Sequence, residues 1–541
     1  MYPKSLKPGL AVRQVILVAV TASFFTLTAW LARPVGTHWN SPDEMANAFW
    51  AARVAAGESL AVHDPLVAVG AGAVHPRSFA VLGDALVPGS FPGLFLFYGA
   101  INGLTQLPLW VLTPFFTALA GLALYGALRR RDERWAFWSA LFFLANPAVI
   151  YYASRGLFPN LLVVDLLIFA LWFLASRPFS EWHGENCVYD DLAAGLLVGG
   201  ALVTRLAELP WIACGVAAWF WASSSPRRFR RAAWLVVGLA VPLALYAWLN
   251  FSVYGSPFRT GYVLAPASLT AAASATSLAS GVVPTASALP FGFHPHLALV
   301  NAWNYALMFW YVTWSALAGF VLVLFRWKRR TRGERAETVF ALVLTGWVVA
   351  FYGSWLVRDR YDVADVTIGT SYVRYFLPVL VLAAPFATRA VLAFGDRIGR
   401  PRLIASLAFV IVTMLSLYAT VWQGDESLLA VRRTLVTDEA KAKVLMPLVP
   451  SDAILLTARF DKVLFPERWR FVPNFDTGSL ARLGDLVTAG RVFYYGLDSD
   501  GPERQALTAA AGAQGLAFEK TASPWPGESL WSLNSETTTQ P

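Results

Sequence analysis

Two adjacent carboxylates, Asp43 and Glu44, follow the first long apolar run of the chain. Ser41 is a good helix N-cap, Pro42 suits the first helical position, and Glu44 completes a capping box, so this stretch predicts a helix start. The box explains Glu44 fully but Asp43 only in part, because the second helical position merely favours a negative charge. A carboxylate kept ionised at a helix start can accept a substrate proton or bind a cation. Asp43, with Glu44 beside it, is therefore our first candidate for catalysis.

Arginines beside apolar runs are candidates for binding an anion. Arg374 opens the run in VRYFLP, Arg155 precedes another run, and Arg259 follows the turn YGSP at 254–257. A cation at a helix N-terminus opposes the helix dipole, but the position becomes favourable when an anion binds both the arginine and the free N–H groups. The alternative for Arg374 is a side chain that reaches up to lipid headgroups.

A second acidic or polar site is predicted at the run PNLLVVDLLIF, which contains Asn160 and, about one turn deeper, Asp165. Ionisable groups inside an apolar span are usually paired or functional. Asp165 is therefore either part of a functional site or the partner of Arg155 or Arg205 in an ion pair.

A divalent metal ion is a further candidate ligand of the long loop after the first run. His75 in VHPRSF and Asp84 in LGDAL lie in this loop and could hold a metal ion together with Asp43 or Glu44. The alternative is that both are solvated loop residues.

The composition indicates a membrane protein with many spans. Of the 541 residues 57% are hydrophobic and only 14% are charged, against about 25% charged in soluble domains. The net charge of +9 does not indicate nucleic-acid binding, because the basic residues cluster in short loops between apolar runs. Eleven runs are long enough to span a membrane. They lie at 12–32, 106–128, 135–153, 160–175, 191–207, 209–223, 232–252, 301–325, 337–357, 375–393 and 403–422.

The basic loops predict the topology. With eleven spans, the N-terminal tail and the clusters at 129–134, 226–231, 326–335 and 395–402 all fall on one side. The positive-inside rule makes that side cytoplasmic. We therefore expect an integral protein of the plasma (inner) membrane with a cytoplasmic N-terminus. Asp43, Arg155 and Arg374 are expected on the opposite side.

Two domains are predicted. Residues 1–423 form the transmembrane domain, with a first outer loop at 33–105, and 424–541 form a small extracytoplasmic α/β domain. The loop 263–300, rich in Ala, Ser and Thr, is predicted to be a lid or disordered, and 358–365 a charged outer loop. In the tail, strands are expected at 453–458, 491–497 and 515–520, and helices at 427–446, 478–489 and 502–513.

Three stretches together resemble a known family. They are the exit loop with its Asp-Glu pair (38–105), NFSVYGSPFRTGY (250–262) and GTSYVRYFLPVLV (369–381). They resemble the lipid-carrier-dependent glycosyltransferases of the GT-C fold, a superfamily like glycosyltransferase family 39 that includes the protein O-mannosyltransferases and the lipid A aminoarabinose transferases. Together with the eleven apolar runs, the resemblance predicts an α-helical polytopic membrane protein of GT-C type with about eleven transmembrane helices. It also implies a catalytic site on the extracytoplasmic face.

The resemblance also implies the reaction. Such enzymes transfer a hexose or pentose from a polyprenyl-phosphate carrier to a lipid, glycan or protein acceptor. Carried over, Asp43 is the base or lies beside it, and Arg374, Arg259 and Arg155 are candidates for the donor phosphate. Two alternatives remain at this stage: a polytopic transporter or flippase, and an O-antigen ligase-like protein that handles lipid-linked glycans.

Overall fold

The computed structural model describes residues 8–183, 188–223, 225–264, 292–357, 365–499 and 501–535. Most of the loop 263–300 and of the charged segment 358–365 lies outside these residues. The Cα positions divide the chain into two compact units. We call them the helical unit (1–33, 110–246 and 272–430) and the mixed unit (34–109, 247–271 and 431–541).

Most of the helical unit consists of apolar helices, as the composition predicts. Within the described residues, seven helices are long and apolar enough to cross a membrane, and three bent helix pairs also pass this test. Counting each bent pair as one span gives ten spans. The predicted eleven is reached when the pair at 189–222, which corresponds to two of the predicted spans, is counted as two. The multi-span helical architecture is therefore confirmed, whereas the exact number of spans stays a prediction.

The principal apolar helices have the following bounds, numbered in chain order together with the helices given below. They are α1 (Pro8–Ala32), α5 (Leu109–Leu128), α6 (Glu133–Leu144), α7 (Pro147–Arg155), α8 (Pro159–Ser176), α10 (Tyr189–Thr204), α11 (Leu209–Ala222), α12 (Arg228–Tyr254), α14 (Pro295–Met308), α15 (Trp310–Phe325), α16 (Arg332–Gly353), α17 (Ser371–Ile398) and α18 (Pro401–Leu417). This unit also contains the short helix α9 (Pro178–His183) and a π-helical turn (Tyr418–Trp422).

Three of the predicted regions are bent in the structure. The run 135–153 contains α6 and α7, which are bent by 52°. The run 301–325 is not one straight span, because α14 and α15 meet at Phe309 with a bend of 106°. The runs 191–207 and 209–223 correspond to α10 and α11, which are joined by a short 3₁₀ turn (Leu206–Glu208) and bent by 116°. The bend at Phe309 places a helix end inside an apolar stretch, where the sequence shows only continuous hydrophobicity. The bend between α10 and α11, by contrast, is marked in the sequence by Arg205, Glu208 and Pro210.

Close helix approach in this unit depends on small residues. A Cβ atom at Gly319 of α15 would overlap the carbonyl oxygen of Phe386 on α17. The two backbones therefore touch, as small residues permit between membrane helices.

The mixed unit contains the first loop together with the C-terminal segment. Its helices are α2 (Pro42–Ala55), α3 (Pro65–Val69), α4 (Gly93–Thr105), α13 (Gly261–Leu264), α19 (Leu428–Leu445, which begins in the helical unit), α20 (Asp461–Leu464), α21 (Thr477–Leu480), α22 (Leu483–Ala489) and α23 (Pro502–Gly512). Its strands are β1 (Val62–His63), β2 (Phe79–Leu82), β3 (Ala85–Pro88), β4 (Ile454–Leu456), β5 (Phe471–Val472), β6 (Val492–Leu497), β7 (Leu516–Trp525) and β8 (Glu528–Ser535).

Two sheets organise this unit. The first loop forms an antiparallel sheet of order β1-β3-β2, and the C-terminal segment forms a sheet of order β5-β4-β6-β8-β7. β4 pairs in parallel with β5 and β6, whereas β8 pairs antiparallel with β6 and β7. The predicted strands and helices of the tail are confirmed as elements, and the sequence analysis missed β5 and β8. The predicted domain boundary at 423/424 stays a prediction.

One apolar core joins the two sheets of the mixed unit. Trp50, Phe79 and Phe471 are all buried in it. The ring centre of Phe79 lies 5.0 Å from that of Trp50 and 5.7 Å from that of Phe465. The first loop is thus folded on side chains that come from the C-terminal segment.

Candidate functional site

The predicted capping box is present at the start of α2. The Ser41 N–H donates to the Glu44 carboxylate at 3.0 Å, and the Ser41 side chain accepts from the first-turn backbone. Glu44 is 2% exposed, whereas Asp43 is only half-buried. The box therefore fixes the first turn of the helix, and that turn carries the Asp43 carboxylate.

Removing the cap should loosen this turn without unfolding the protein. We expect Ser41→Ala to cost about 1 kcal/mol of local stability, because one N-terminal N–H loses its acceptor. The measurement is hydrogen exchange of the α2 amides, expected to be about fivefold faster. Glu44→Gln is the matched control, since glutamine also serves in a capping box. Unchanged exchange in Ser41→Ala would contradict the role of the box.

Asp43 has a hydrogen-bond donor from the first sheet. The Ser78 hydroxyl, directly before β2, donates to Asp43 Oδ1 at 2.6 Å. The sequence analysis missed Ser78, because 35 residues separate it from Asp43 and only the folded loop brings the two together.

The candidate metal ligands His75 and Asp84 have other partners. The buried His75 ring donates from Nδ1 to the Pro76 carbonyl oxygen at 2.8 Å, and burial lowers the pKa of this imidazole. Asp84 is exposed, and its carboxylate lies 3.1 Å from His63 Nδ1. Within the described residues, no group of three or more His, Cys, Asp or Glu side chains could hold a metal ion. A metal ion at His75 and Asp84 therefore stays a prediction.

Arg155 and Arg374 come together in the helical unit. Arg155 ends α7 and Arg374 lies in the first turn of α17. Their guanidinium carbons lie 5.2 and 4.9 Å from the ring centre of Phe158. Arg374 also donates to Ser371 Oγ at 2.7 Å, and Arg155 to the Tyr151 hydroxyl at 3.0 Å. Two candidate phosphate ligands from distant parts of the chain thus share one aromatic ring.

A third arginine extends this group. Arg205, next to the bend between α10 and α11, lies 5.2 Å from the ring centre of Tyr375, the ring that Arg374 also approaches to 5.2 Å. Arg205 is 6% exposed and forms a 2.9 Å ion pair with Glu208. The Tyr352 hydroxyl donates to the same carboxylate at 2.7 Å. We call Arg155, Arg205 and Arg374 the arginine cluster.

The sequence contains a signal for the buried ion pair of Arg205. Arg205 and Glu208 are three residues apart, between two apolar runs. Opposite charges at that spacing inside a membrane segment indicate a buried pair.

The second predicted polar site is buried beside the cluster's helices. Asp165 is fully buried in α8, and its Oδ2 accepts from the Thr117 hydroxyl at 2.7 Å. It does not pair with Arg155 or Arg205 among the described residues, so that alternative is wrong. Asn160, in the first turn of α8, is also buried. In the described part of the chain, Asp165 Oδ1 and Asn160 Oδ1 have no hydrogen-bond partner.

Arg259 lies in the mixed unit, in the loop after α12. Its side chain is exposed, and NH1 donates to the Tyr254 carbonyl oxygen at 3.5 Å. The preceding turn uses Gly255 at φ +74°, as the YGSP pattern suggests. Arg259 thus belongs to the mixed unit, whereas the three members of the arginine cluster belong to the helical unit.

An apolar groove of about 400 Å³ lies between α14, α15, α16 and α17. Its α17 lining begins at Phe376, two residues after Arg374, and continues to Phe386. Tyr305 lines it from α14, and the Tyr305 hydroxyl lies 2.5 Å from Thr370 Oγ1 at the start of α17. The groove therefore begins close to Arg374 along the chain, but it lies on another face of α17, because residues two apart do not share a helix face. None of the three cluster arginines lines the groove.

Comparison with known proteins defines the fold. No family model matches the chain, and no curated protein matches it by sequence. The crystal structure of ArnT from Cupriavidus metallidurans bound to undecaprenyl phosphate matches with a TM-score of 0.51 at 14% identity, over 96% of this chain and 97% of that one. The oligosaccharyltransferase AglB from Archaeoglobus fulgidus, in complex with an inhibitory peptide and a dolichol-phosphate, matches with a TM-score of 0.52 at 13% identity, over 98% and 75%.

Both of these proteins have the GT-C fold, and the present chain has it too. The resemblance drawn from the three sequence stretches is therefore confirmed at the level of the fold. The chain is a multi-pass membrane protein with GT-C architecture and a small sheet-containing region near its C-terminus.

Proposed function

We propose that this protein is a membrane glycosyltransferase. It transfers a hexose or pentose from a polyprenyl-phosphate carrier to a lipid, glycan or protein acceptor on the extracytoplasmic side. The observation that carries the proposal is the arginine cluster, in which the guanidinium groups of Arg155 and Arg374 meet at Phe158 and can bind an anion together. The ArnT and AglB structures, which hold undecaprenyl phosphate and dolichol-phosphate, support the same class of carrier.

The proposed reaction is a displacement at the anomeric carbon. The acceptor oxygen forms a bond to that carbon, and the bond from the carbon to the carrier phosphate oxygen breaks. Asp43 takes the proton of the acceptor hydroxyl, which makes the oxygen a better nucleophile. The leaving phosphate gains negative charge, and Arg374 with Arg155 stabilises it by charge-assisted hydrogen bonds. Glu44 keeps the helix start that presents Asp43.

The apolar groove is proposed to take the isoprenoid chain of the carrier. Its lining is almost entirely hydrophobic, including Trp303, Trp314, Leu317 and Phe376. An amphiphile with a phosphate head and an apolar tail needs both a cationic site and an apolar surface, and α17 contributes residues to each. A soluble nucleotide sugar would leave the groove without an apolar ligand.

The test uses purified full-length protein in lipid nanodiscs. Labelled polyprenyl-monophosphate hexose or pentose is supplied with a cell-envelope fraction as acceptor, and sugar transfer and free polyprenyl phosphate are measured. We expect both products from a monophosphate donor. Transfer only from polyprenyl-diphosphate donors would instead indicate an O-antigen ligase-like protein. In proteoliposomes that contain the same protein, movement of the lipid-linked sugar across the membrane without any transfer would indicate a flippase.

A further inference from the structure

Ser78 has a backbone conformation that serine rarely adopts. It occupies the third position of a turn closed by the Phe79 N–H and the Pro76 carbonyl oxygen at 3.3 Å, and its φ is +65°. Turns with positive φ at this position favour glycine. The Ser78 carbonyl also abuts Gly89, where a Cβ atom would come within 2.6 Å of the Ser78 oxygen. A glycine at position 78 would fit the backbone better, so the side chain is the feature to explain.

The C-terminal segment clamps this turn from both sides of Pro76. The His75 N–H donates to the Phe471 carbonyl oxygen at 2.7 Å. Arg77 forms a two-armed ion pair with Asp461, with Nε at 2.9 and 3.0 Å from the carboxylate oxygens, and donates to the Arg459 carbonyl oxygen at 3.2 Å. Asp461 is 4% exposed, so this pair is largely shielded from water. The turn is therefore held by residues almost 400 positions away in the chain.

The Ser78 side chain reaches Asp43. Its hydroxyl donates to Oδ1 at 2.6 Å, a short hydrogen bond to a carboxylate. We propose that Ser78 is a positioning residue that fixes the rotamer of the Asp43 carboxylate, and that the Arg77–Asp461 clamp holds Ser78 in place. This inference rests on the proposed function, in which Asp43 is the base. Through it the C-terminal segment contributes to catalysis without contacting substrate.

The chemistry of the hydrogen bond suits this role. A hydroxyl that donates to Oδ1 orients the carboxyl plane, and we assign the acceptor's proton to the other oxygen, Oδ2. Without this hydrogen bond the carboxylate is oriented less tightly and spends less time in the productive geometry. The loss then falls on kcat, because the distance between base and acceptor matters most in the transition state.

Three substitutions at position 78 separate the hydroxyl from the backbone conformation. Ser78→Ala removes the hydroxyl and keeps the Cβ. Ser78→Gly removes the hydroxyl and relieves the positive φ. Ser78→Asn tolerates positive φ and offers an N–H donor to Asp43. We expect Ala and Gly each to lower kcat about tenfold with the donor KM unchanged, and Asn to recover part of the loss.

The control is Ser59→Ala, at an exposed serine of the same loop, and it should leave kcat unchanged. A double variant with Asp43→Asn should show no further loss from Ser78→Ala, since the two side chains act as one unit. Wild-type kcat in the well-folded Ser78→Gly protein would overturn the inference, and so would a full tenfold loss in the Asp43→Asn background. If Asp43→Asn itself retains full activity, the base assignment fails instead, and the two failures are thereby distinguished.

Discussion

Replacing Asp43 by asparagine is expected to lower kcat for sugar transfer by about 10²–10⁴-fold, the usual contribution of a general base. Asparagine has the shape of aspartate, and its side-chain oxygen can still accept from Ser78. The capping box is made by Ser41 and Glu44 and does not need the Asp43 carboxylate. The folded helix should therefore persist while the proton acceptor is lost. The measurement is single-turnover transfer from labelled polyprenyl-monophosphate sugar.

Two companion variants make this result specific. Asp452→Asn changes an exposed carboxylate elsewhere in the mixed unit, which pairs with Arg491, and should leave kcat unchanged. Asp43→Glu keeps the charge but moves it by one methylene, so an intermediate rate is expected. The affinity for the donor should be unchanged in Asp43→Asn, Asp43→Glu and Asp452→Asn. A rate for Asp43→Asn within a few-fold of wild type, at normal expression, would remove Asp43 from the mechanism.

Replacing Arg374 by glutamine is expected to lower kcat/KM for the donor by about 10²–10³-fold, comparable to the loss of a preorganised donor at a developing anion. Arg155→Gln should act in the same direction. A guanidinium offers two parallel N–H groups to a phosphate, so Arg374→Lys should recover only part of the loss. Steady-state kinetics and direct binding of polyprenyl phosphate to each protein measure the effect.

Arg397→Gln is the matched control for this pair. Arg397 is exposed in the last turn of the same helix as Arg374, and its loss should change neither kcat/KM nor carrier binding. If Arg374→Gln binds polyprenyl phosphate as tightly as wild type, the arginine cluster is not the phosphate site. The apolar groove would then have to bind a ligand other than the isoprenoid chain of the carrier.

The parts of the fold that depend on local chemistry were predictable. Ser41, Pro42 and Glu44 define the start of α2, because a capping box acts within four residues. The long apolar runs were found for a similar reason, since hydrophobicity summed over twenty residues is a strong signal. The bend at Phe309 was missed because no proline or glycine marks it, so only packing in the folded protein specifies it. β8 was missed because it depends on pairing with β6 and β7.

The candidate site was predictable in its residue types but not in its grouping. Arg155 and Arg374 were identified from their positions at the ends of apolar runs, yet their common contact with Phe158 depends on how three helices assemble. Arg205 was considered only as a partner for Asp165, whereas the structure pairs it with Glu208. Ser78 carried no local signal at all, because its role arises from a contact across the folded loop.

The mixed unit is built from segments that lie far apart in the chain, and this has a consequence for its biosynthesis. Trp50 and Phe79 share one core with Phe471, so this core cannot close until the ribosome has made the last of them. At about 5–20 residues per second, the interval between Phe79 and Phe471 is roughly 20–80 s. During that time the first loop lacks the part of its core that Phe471 supplies, so its aromatic side chains stay exposed. We therefore expect nascent chains arrested before residue 471 to be sensitive to proteases and to bind membrane-associated chaperones.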